Sequence, residues 1–130
     1  YGAHEWQAYS EASEEEVLCI VLIETNQGVE NVGDIAGIDG VDVIFFGPGD
    51  LSQEYGDGPG WHSARTRDAW GAVRAATEGL GTLLMTAAHP EVDSEAVYEL
   101  VDDGADMIVY SADWVLFRKT LSAISRLKER

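Results

Sequence analysis

The sequence predicts an α/β fold of parallel β–α units, and three observations predict it. Short, mainly apolar runs recur four times, at 17–23, 41–46, 82–87 and 106–113. The stretches between them carry apolar residues at helical spacing. Each run meets a turn-forming or acidic residue within three positions of its end. Strands that alternate with helices pair in parallel through right-handed crossovers.

Each element has its own justification. Residues 1–16 read as an irregular, acidic lead-in with at most a short helix. VLCIVLI (17–23) reads as a strand buried on both faces, with Cys19 a small buried hydrophobe inside it. Residues 26–38 place Val29, Val32, Ile35, Ala36 and Ile38 on one helical face, and Gly40 ends the segment. VDVIFF (41–46) is the second strand. A loop rich in Gly and Pro runs from Gly56 to Gly60, and a helix follows from Ser63, its N-cap, to about Gly79. TLLMTA (82–87) is the third strand, followed by a turn and a helix with Val97, Leu100 and Val101 in its stripe. DMIVYSAD (106–113) is the fourth. Residues 114–130 form a last amphipathic helix, with Leu116, Phe117, Leu121, Ile124 and Leu127 inward, Trp114 packed and Asp113 as cap.

Four such units fit two architectures: a small doubly wound sheet, or half of a (β/α)8 barrel whose full length is typically about 250 residues. In both, the 130 residues form a single domain. The chain opens on Tyr1 with no methionine, so the expectation is a piece cut from something longer.

Composition narrows the function. Twenty-four acidic residues against eight basic ones give a net charge of −16, and only Lys119 and Lys128 are lysines. Phosphate-backbone binding needs clustered Lys and Arg, so nucleic acid is excluded as a partner. So acidic a surface suits a salt-rich cytoplasm that screens its self-repulsion, so a halophilic origin is one reading and a merely acidic bacterial enzyme the other. One cysteine permits no internal disulfide and fits a reducing compartment. No run reaches the roughly 18 apolar residues of a membrane span.

In parallel α/β folds, function collects just past the carboxyl ends of the strands. Those ends present Glu24 and Thr25, then Gly47, Pro48, Gly49 and Asp50, then Thr86 to His89, then Ser111 to Asp113. Glu24 and Asp50 leave consecutive strands, which usually lie about 4.8 Å apart. Two acids at one rim repel unless a proton, an arginine or a divalent cation compensates. Arg65, Arg67 and Arg74 belong to a later helix, so a hard, oxygen-loving ion is one solution. The other is that one carboxylate caps a helix. Gly47 and Gly49 let a ligand approach the main chain, Pro48 stiffens the turn, and the N–H groups of Gly49 and Asp50 are placed to meet an anion. The competing use of Gly-Pro-Gly is a plain tight turn. His4, His62 and His89 each sit in loops or lead-in and read as solvated.

The stretch IETNQGVENVGDIAGIDGVDVIFFGPGDLS (23–52) resembles the signature of the class II, metal-dependent pyruvate aldolases of the HpcH/HpaI family, among them the 4-hydroxy-2-oxoheptanedioate aldolases. There an Ile-Glu-Thr or Ile-Glu-Ser ends one barrel strand and a Gly-Pro-x-Asp-Leu ends the next, and the 26-residue separation of Glu24 and Asp50 fits without a gap. The likeness continues weakly through Gly104 and Asp113, and in Tyr1, Gly2 and Tyr9 of the lead-in. The resemblance implies that Glu24 and Asp50 ligate Mg²⁺ or Mn²⁺, with Co²⁺ a further option. It also implies that Gly47, Pro48, Gly49 and Asp50 hold a 2-oxo acid such as pyruvate, which reacts with an aldehyde. A trimer or hexamer is implied as well. Leu22 stands where the family often has Gln, and GPGD replaces the commoner Gly-Pro-Ala-Asp. The family's base histidine and substrate arginine come from earlier strands, so the chain is expected to be the carboxyl-terminal half of the barrel, strands five to eight, and inactive alone. Two alternatives remain: an acyl-CoA lyase of the citrate lyase β-subunit type, and a non-catalytic half-barrel module.

Overall fold

The computed structural model of the chain describes residues 6–88 and 94–126. In chain order the elements are α1 (Trp6–Glu16), β1 (Ile20–Ile23), α2 (Asn26–Glu30), α3 (Val32–Ala36), β2 (Val43–Phe46) and α4 (Pro48–Tyr55). A 3-10 turn at Gly60–His62 leads to α5 (Ala64–Thr77), β3 (Leu83–Ala87), α6 (Ser94–Asp102), β4 (Met107–Val109) and α7 (Asp113–Arg126). The four strands pair in parallel in the order β1-β2-β3-β4. Consecutive strands are neighbours, as in one sector of a barrel.

The lead-in is more ordered than expected: 11 of its residues form α1. The predicted helix at 26–38 is two short helices, because the backbone kinks at Asn31, which closes α2 and opens α3. At α5, Ser63 is the N-cap as expected, its hydroxyl accepting from the Thr66 N–H at 3.0 Å.

Side chains in one register row share a face of the sheet. The rows through Ile23, Ile44, Phe46, Leu84 and Thr86 face α3, α4 and α5, where Val32, Leu51, Trp70 and Val73 complete a sealed core. Phe46 lies 5.4 Å from Trp70 and 5.5 Å from Trp61, ring centre to ring centre. The other face carries Leu22, Phe45, Met85 and Met107 in one row and Ile20 and Leu83 in another. It is covered only in part: Val43 is sealed and Phe45, Met85 and Met107 are half-buried, while Ile20, Leu22 and Leu83 are exposed.

That open face corrects three expectations. The strand at 17–23 is not buried on both sides: only Ile23 is, while Leu22 is 46% exposed, because β1 is an edge strand with one naked face. Cys19 is exposed and precedes the strand rather than sitting within it. On α7 the apolar stripe exists as spaced, but Leu116, Phe117, Leu121 and Ile124 are all exposed and Trp114 is 62% exposed. A crossover helix buries its stripe against its own strand and a neighbour, and among the described residues no strand lies beyond the edge strand β4. Leu127 lies outside the described residues.

Candidate active site

Parallel pairing brings the exits of β1 and β2 side by side, with Ile23 opposite Phe46. The ladder runs one step past the strands, the Gly47 N–H donating to the Ile23 carbonyl at 2.8 Å. Glu24 therefore stands beside Gly47, on the naked face of the sheet together with Leu22. A Cβ added to Gly47 would lie 3.0 Å from Glu24 Cβ, 3.3 Å from Leu22 Cδ1 and 3.6 Å from Glu24 Oε2. A methyl here would fit only if the Glu24 side chain gave way by a few tenths of an ångström.

Pro48 begins α4, where its missing N–H costs nothing. Gly47, the N-cap, has no side chain to offer the first turn. The first-turn N–H groups of Gly49 and Asp50 are thus uncapped by any side chain, at the positive end of the helix. A Cβ on Gly49 would meet nothing within 4 Å, so the approach to those amides is open. Asp50 projects from this same turn and is exposed. Gly47, Pro48, Gly49 and Asp50 are thus drawn together with Glu24 at one rim.

Neither acid is a structural cap. Thr25, not Glu24, caps α2, accepting from the Gly28 N–H at 3.0 Å. Among the described residues neither carboxylate has a hydrogen-bond or ion-pair partner, and the one ion pair is Arg74–Asp103 at 2.8 Å on the helix side. Arg65, Arg67 and Arg74 are engaged elsewhere. Arg65 stacks 4.2 Å over the Tyr55 ring, and Arg67 donates to the Trp61 carbonyl at 2.6 Å. Among the described residues no three His, Cys, Asp or Glu side chains gather at one point, so Glu24 and Asp50 have no third such side chain with them. A Mg²⁺-like ion that keeps waters and takes substrate oxygens accepts such a pair.

Around this rim, Ser52 is buried and its hydroxyl donates to the Gly49 carbonyl and accepts from the Gly60 N–H, both at 2.7 Å. Sequence reading passed over it, although a serine one turn after Gly-Pro-Gly is a readable signal for a locked turn. It also missed Asn26, Glu54 and Tyr55, whose contacts join distant segments. Burial, outweighing the nearby Arg65 charge, pushes the Tyr55 phenol above its ordinary value. Thr86 turns from the rim into the core, donating to the Phe46 carbonyl at 3.1 Å, whereas Met85 is half-buried on the naked face. Trp61 lies on the helix side, its Nε1 donating to the Ala87 carbonyl at 2.9 Å. Asp113 forms the first turn of α7 and accepts from the Trp114 N–H at 2.7 Å. His62 is exposed in the 3-10 turn, and His4 and His89 lie outside the described residues.

The structure thus defines a class by its fold, a parallel β–α array matching one sector of a barrel with two acids and a glycine turn past its strand ends, and comparison with known proteins gives its family. The HpcH/HpaI aldolase/citrate lyase family matches over residues 4–119, and the chain belongs to that family. It is 35% identical over 125 residues to a hydroxypyruvate/pyruvate aldolase of Chromohalobacter salexigens, covering 92% of this chain and 46% of that protein. It is 30% identical over 129 residues to a 4-hydroxy-2-oxovalerate aldolase of Novosphingobium aromaticivorans, covering 96% and 47%. Among solved structures, a family protein from Burkholderia cenocepacia superposes with a TM-score of 0.77 at 29% identity, covering 95% of this chain and 47% of that one. The HpcH/HpaI aldolase of Desulfitobacterium hafniense gives a TM-score of 0.80, covering 96% and 48%, and at 24% identity attests the fold. The chain thus spans about half the length of these relatives, and its four-strand sheet is a fragment of their barrel. No helix among the described residues is long and apolar enough to cross a membrane.

Proposed function

We propose that this chain carries the metal and oxo-acid half of a pyruvate-type aldolase site. The observation behind this reading is that Glu24 and Asp50 follow adjoining strands, Glu24 beside Gly47 and Asp50 in the first turn of α4, and that neither has an ion-pair partner among the described residues. In this reading the two carboxylates hold Mg²⁺ or Mn²⁺, with Co²⁺ a further option. Bound there, the ion acts as a Lewis acid that stabilises the negative charge developing on the keto oxygen. The N–H groups of Gly49 and Asp50 orient the substrate carboxylate at the helix terminus. Gly47 leaves room for the flat oxo acid, and Leu22 lines it with an apolar wall in place of a polar contact.

The chemistry is cleavage or formation of a C–C bond between a 2-oxo acid and an aldehyde. The proton-transferring base and the substrate arginine belong to the complementary half, strands one to four, with this chain as strands five to eight. That half lies in the full-length protein, on another chain, or is replaced by a second copy. Pro48 favours this reading over the acyl-CoA lyases, which usually place an acid in that turn. A trimeric or hexameric assembly, a cytoplasmic setting and adaptation to salt complete the proposal, the last resting on the charge of −16.

Calorimetric titration with Mn²⁺ and oxalate is expected to give weak binding by the unaltered chain and none by Glu24→Gln or Asp50→Asn. The isolated chain releases no pyruvate from 4-hydroxy-2-oxo acids in a lactate-dehydrogenase-coupled assay. Mn²⁺–oxalate binding that survives both substitutions would falsify the assignment, and robust turnover by the isolated chain would sink the division into halves.

A further inference from the structure

The two acids sit on different elements, and something must set the distance between them. Two residues after Glu24, the Asn26 N–H donates to Glu54 Oε2 at 2.9 Å. The Tyr55 hydroxyl donates to Asn26 Oδ1 at 3.3 Å, and Asn26 Nδ2 donates to Glu30 Oε1 at 2.6 Å. Glu54 and Tyr55 lie on α4, about one helical turn beyond Asp50. Asn26 opens α2, so its N–H is one of the donors that a helix start leaves without an internal partner. Here a carboxylate from a different helix takes it, a charge-assisted bond at the positive end of α2. Tyr55 is fixed in turn from α5: the Arg65 guanidinium covers its ring, and Arg65 Nη1 donates to its carbonyl at 3.4 Å.

We propose that Asn26, Glu54 and Tyr55 form a clamp that fixes α4 against the exit of β1, and so sets the Glu24–Asp50 geometry on which divalent-cation affinity depends. The proposal rests on the metal reading above. A hard ion with few protein ligands tolerates errors of only about 0.2 Å in ligand distance. A small rotation of α4 about its own N-terminus would move Asp50 while leaving Glu24 in place. The three clamp residues touch neither the ion nor the substrate; they are positioning residues.

The test measures free Mn²⁺ by electron paramagnetic resonance in the presence of oxalate, alongside thermal unfolding, on the full 130-residue chain. Glu54→Ala combined with Tyr55→Phe is expected to weaken Mn²⁺–oxalate binding about tenfold, in the range seen when groups supporting metal ligands are removed. Glu54→Gln keeps an acceptor for the Asn26 N–H but drops the charge, and is expected to bind within about threefold of the unaltered chain. Amide hydrogen exchange at Asn26 should accelerate in Glu54→Ala and not in Glu54→Gln. Equal affinity in all variants, or Glu54→Gln binding as weakly as the double variant, overturns the clamp alone, the latter by showing that charge acts instead. No Mn²⁺–oxalate binding by an unaltered chain that melts cooperatively overturns the metal reading itself. If the chain does not melt cooperatively, unprotected Asn26 exchange in the unaltered chain overturns the clamp directly.

Discussion

Phe46 and Leu22 lie on paired strands one register row apart, yet Phe46 is sealed and Leu22 is 46% exposed. The contrast recurs elsewhere: Ile44, Trp70 and Val73 on the helix side are at or below 1% exposure, whereas Ile20 and Leu83 opposite are each 43% exposed, with Val43 sealed between them. Both faces are equally apolar in composition. One is covered by α3, α4 and α5; the other is the wall a closed barrel would fill with side chains from the strands this chain does not supply. The sealed core lies on the first face, and the proposed site lies at the rim of the second. An apolar face of this kind marks a surface meant to be covered.

Large-to-small changes test that contrast most strongly. Phe46→Ala is expected to lower stability by about 3–5 kcal/mol, since it opens a cavity against Trp61 and Trp70. Leu22→Ala should cost less than about 1 kcal/mol in the chain alone, because water already reaches the side chain. Urea unfolding measures both, and equal costs would erase the distinction between the faces. The next effect lies at the rim. Gly47→Ala drives a methyl to 3.0 Å from Glu24 Cβ, and should reduce Mn²⁺–oxalate affinity at least tenfold, about 1.4 kcal/mol. Unchanged affinity would mean that Glu24 is free to move aside.

A further effect is on the covered side. Ser63→Ala removes the cap of α5 and is expected to cost about 1 kcal/mol. It also alters the acid limb. The Ser63 hydroxyl, bonded to Asp57, is the main reason that this carboxyl is held below its ordinary value. A depressed carboxyl contributes stability above its ordinary range and loses it as the pH falls through the lowered value. Stability of the unaltered chain therefore falls on acidification, and Ser63→Ala flattens that fall. An identical acid limb in the variant would break the link between Ser63 and Asp57.

Much of this was legible in the chain of residues. Periodicity located all four strands, and Ser63 announced α5 by the chemistry of its hydroxyl. Glu24 and the Gly47–Asp50 turn were readable because each follows an apolar run, which in a parallel sheet puts them at one end. The errors share one cause. Spacing reports that a face is apolar, and it cannot report whether another element comes to cover it. Leu22, Cys19, Trp114 and the stripe of α7 were all expected inside, and all are exposed. The clamp was invisible for a related reason. Asn26 meets Glu54 and Tyr55 across 28 and 29 positions, and no local pattern encodes a contact at that range.

By itself, the order of residues determined the alternation of strand and helix, the parallel pairing and the acids at the strand exits. These follow from local propensity and from the handedness of L-residues, which act over a few positions. Only the tertiary structure decided which apolar face is shut, that Thr25 rather than Glu24 caps a helix, and that α4 is tied to the exit of β1. Burial and long-range hydrogen bonds depend on what the folded chain brings alongside, and that is fixed in space rather than in sequence.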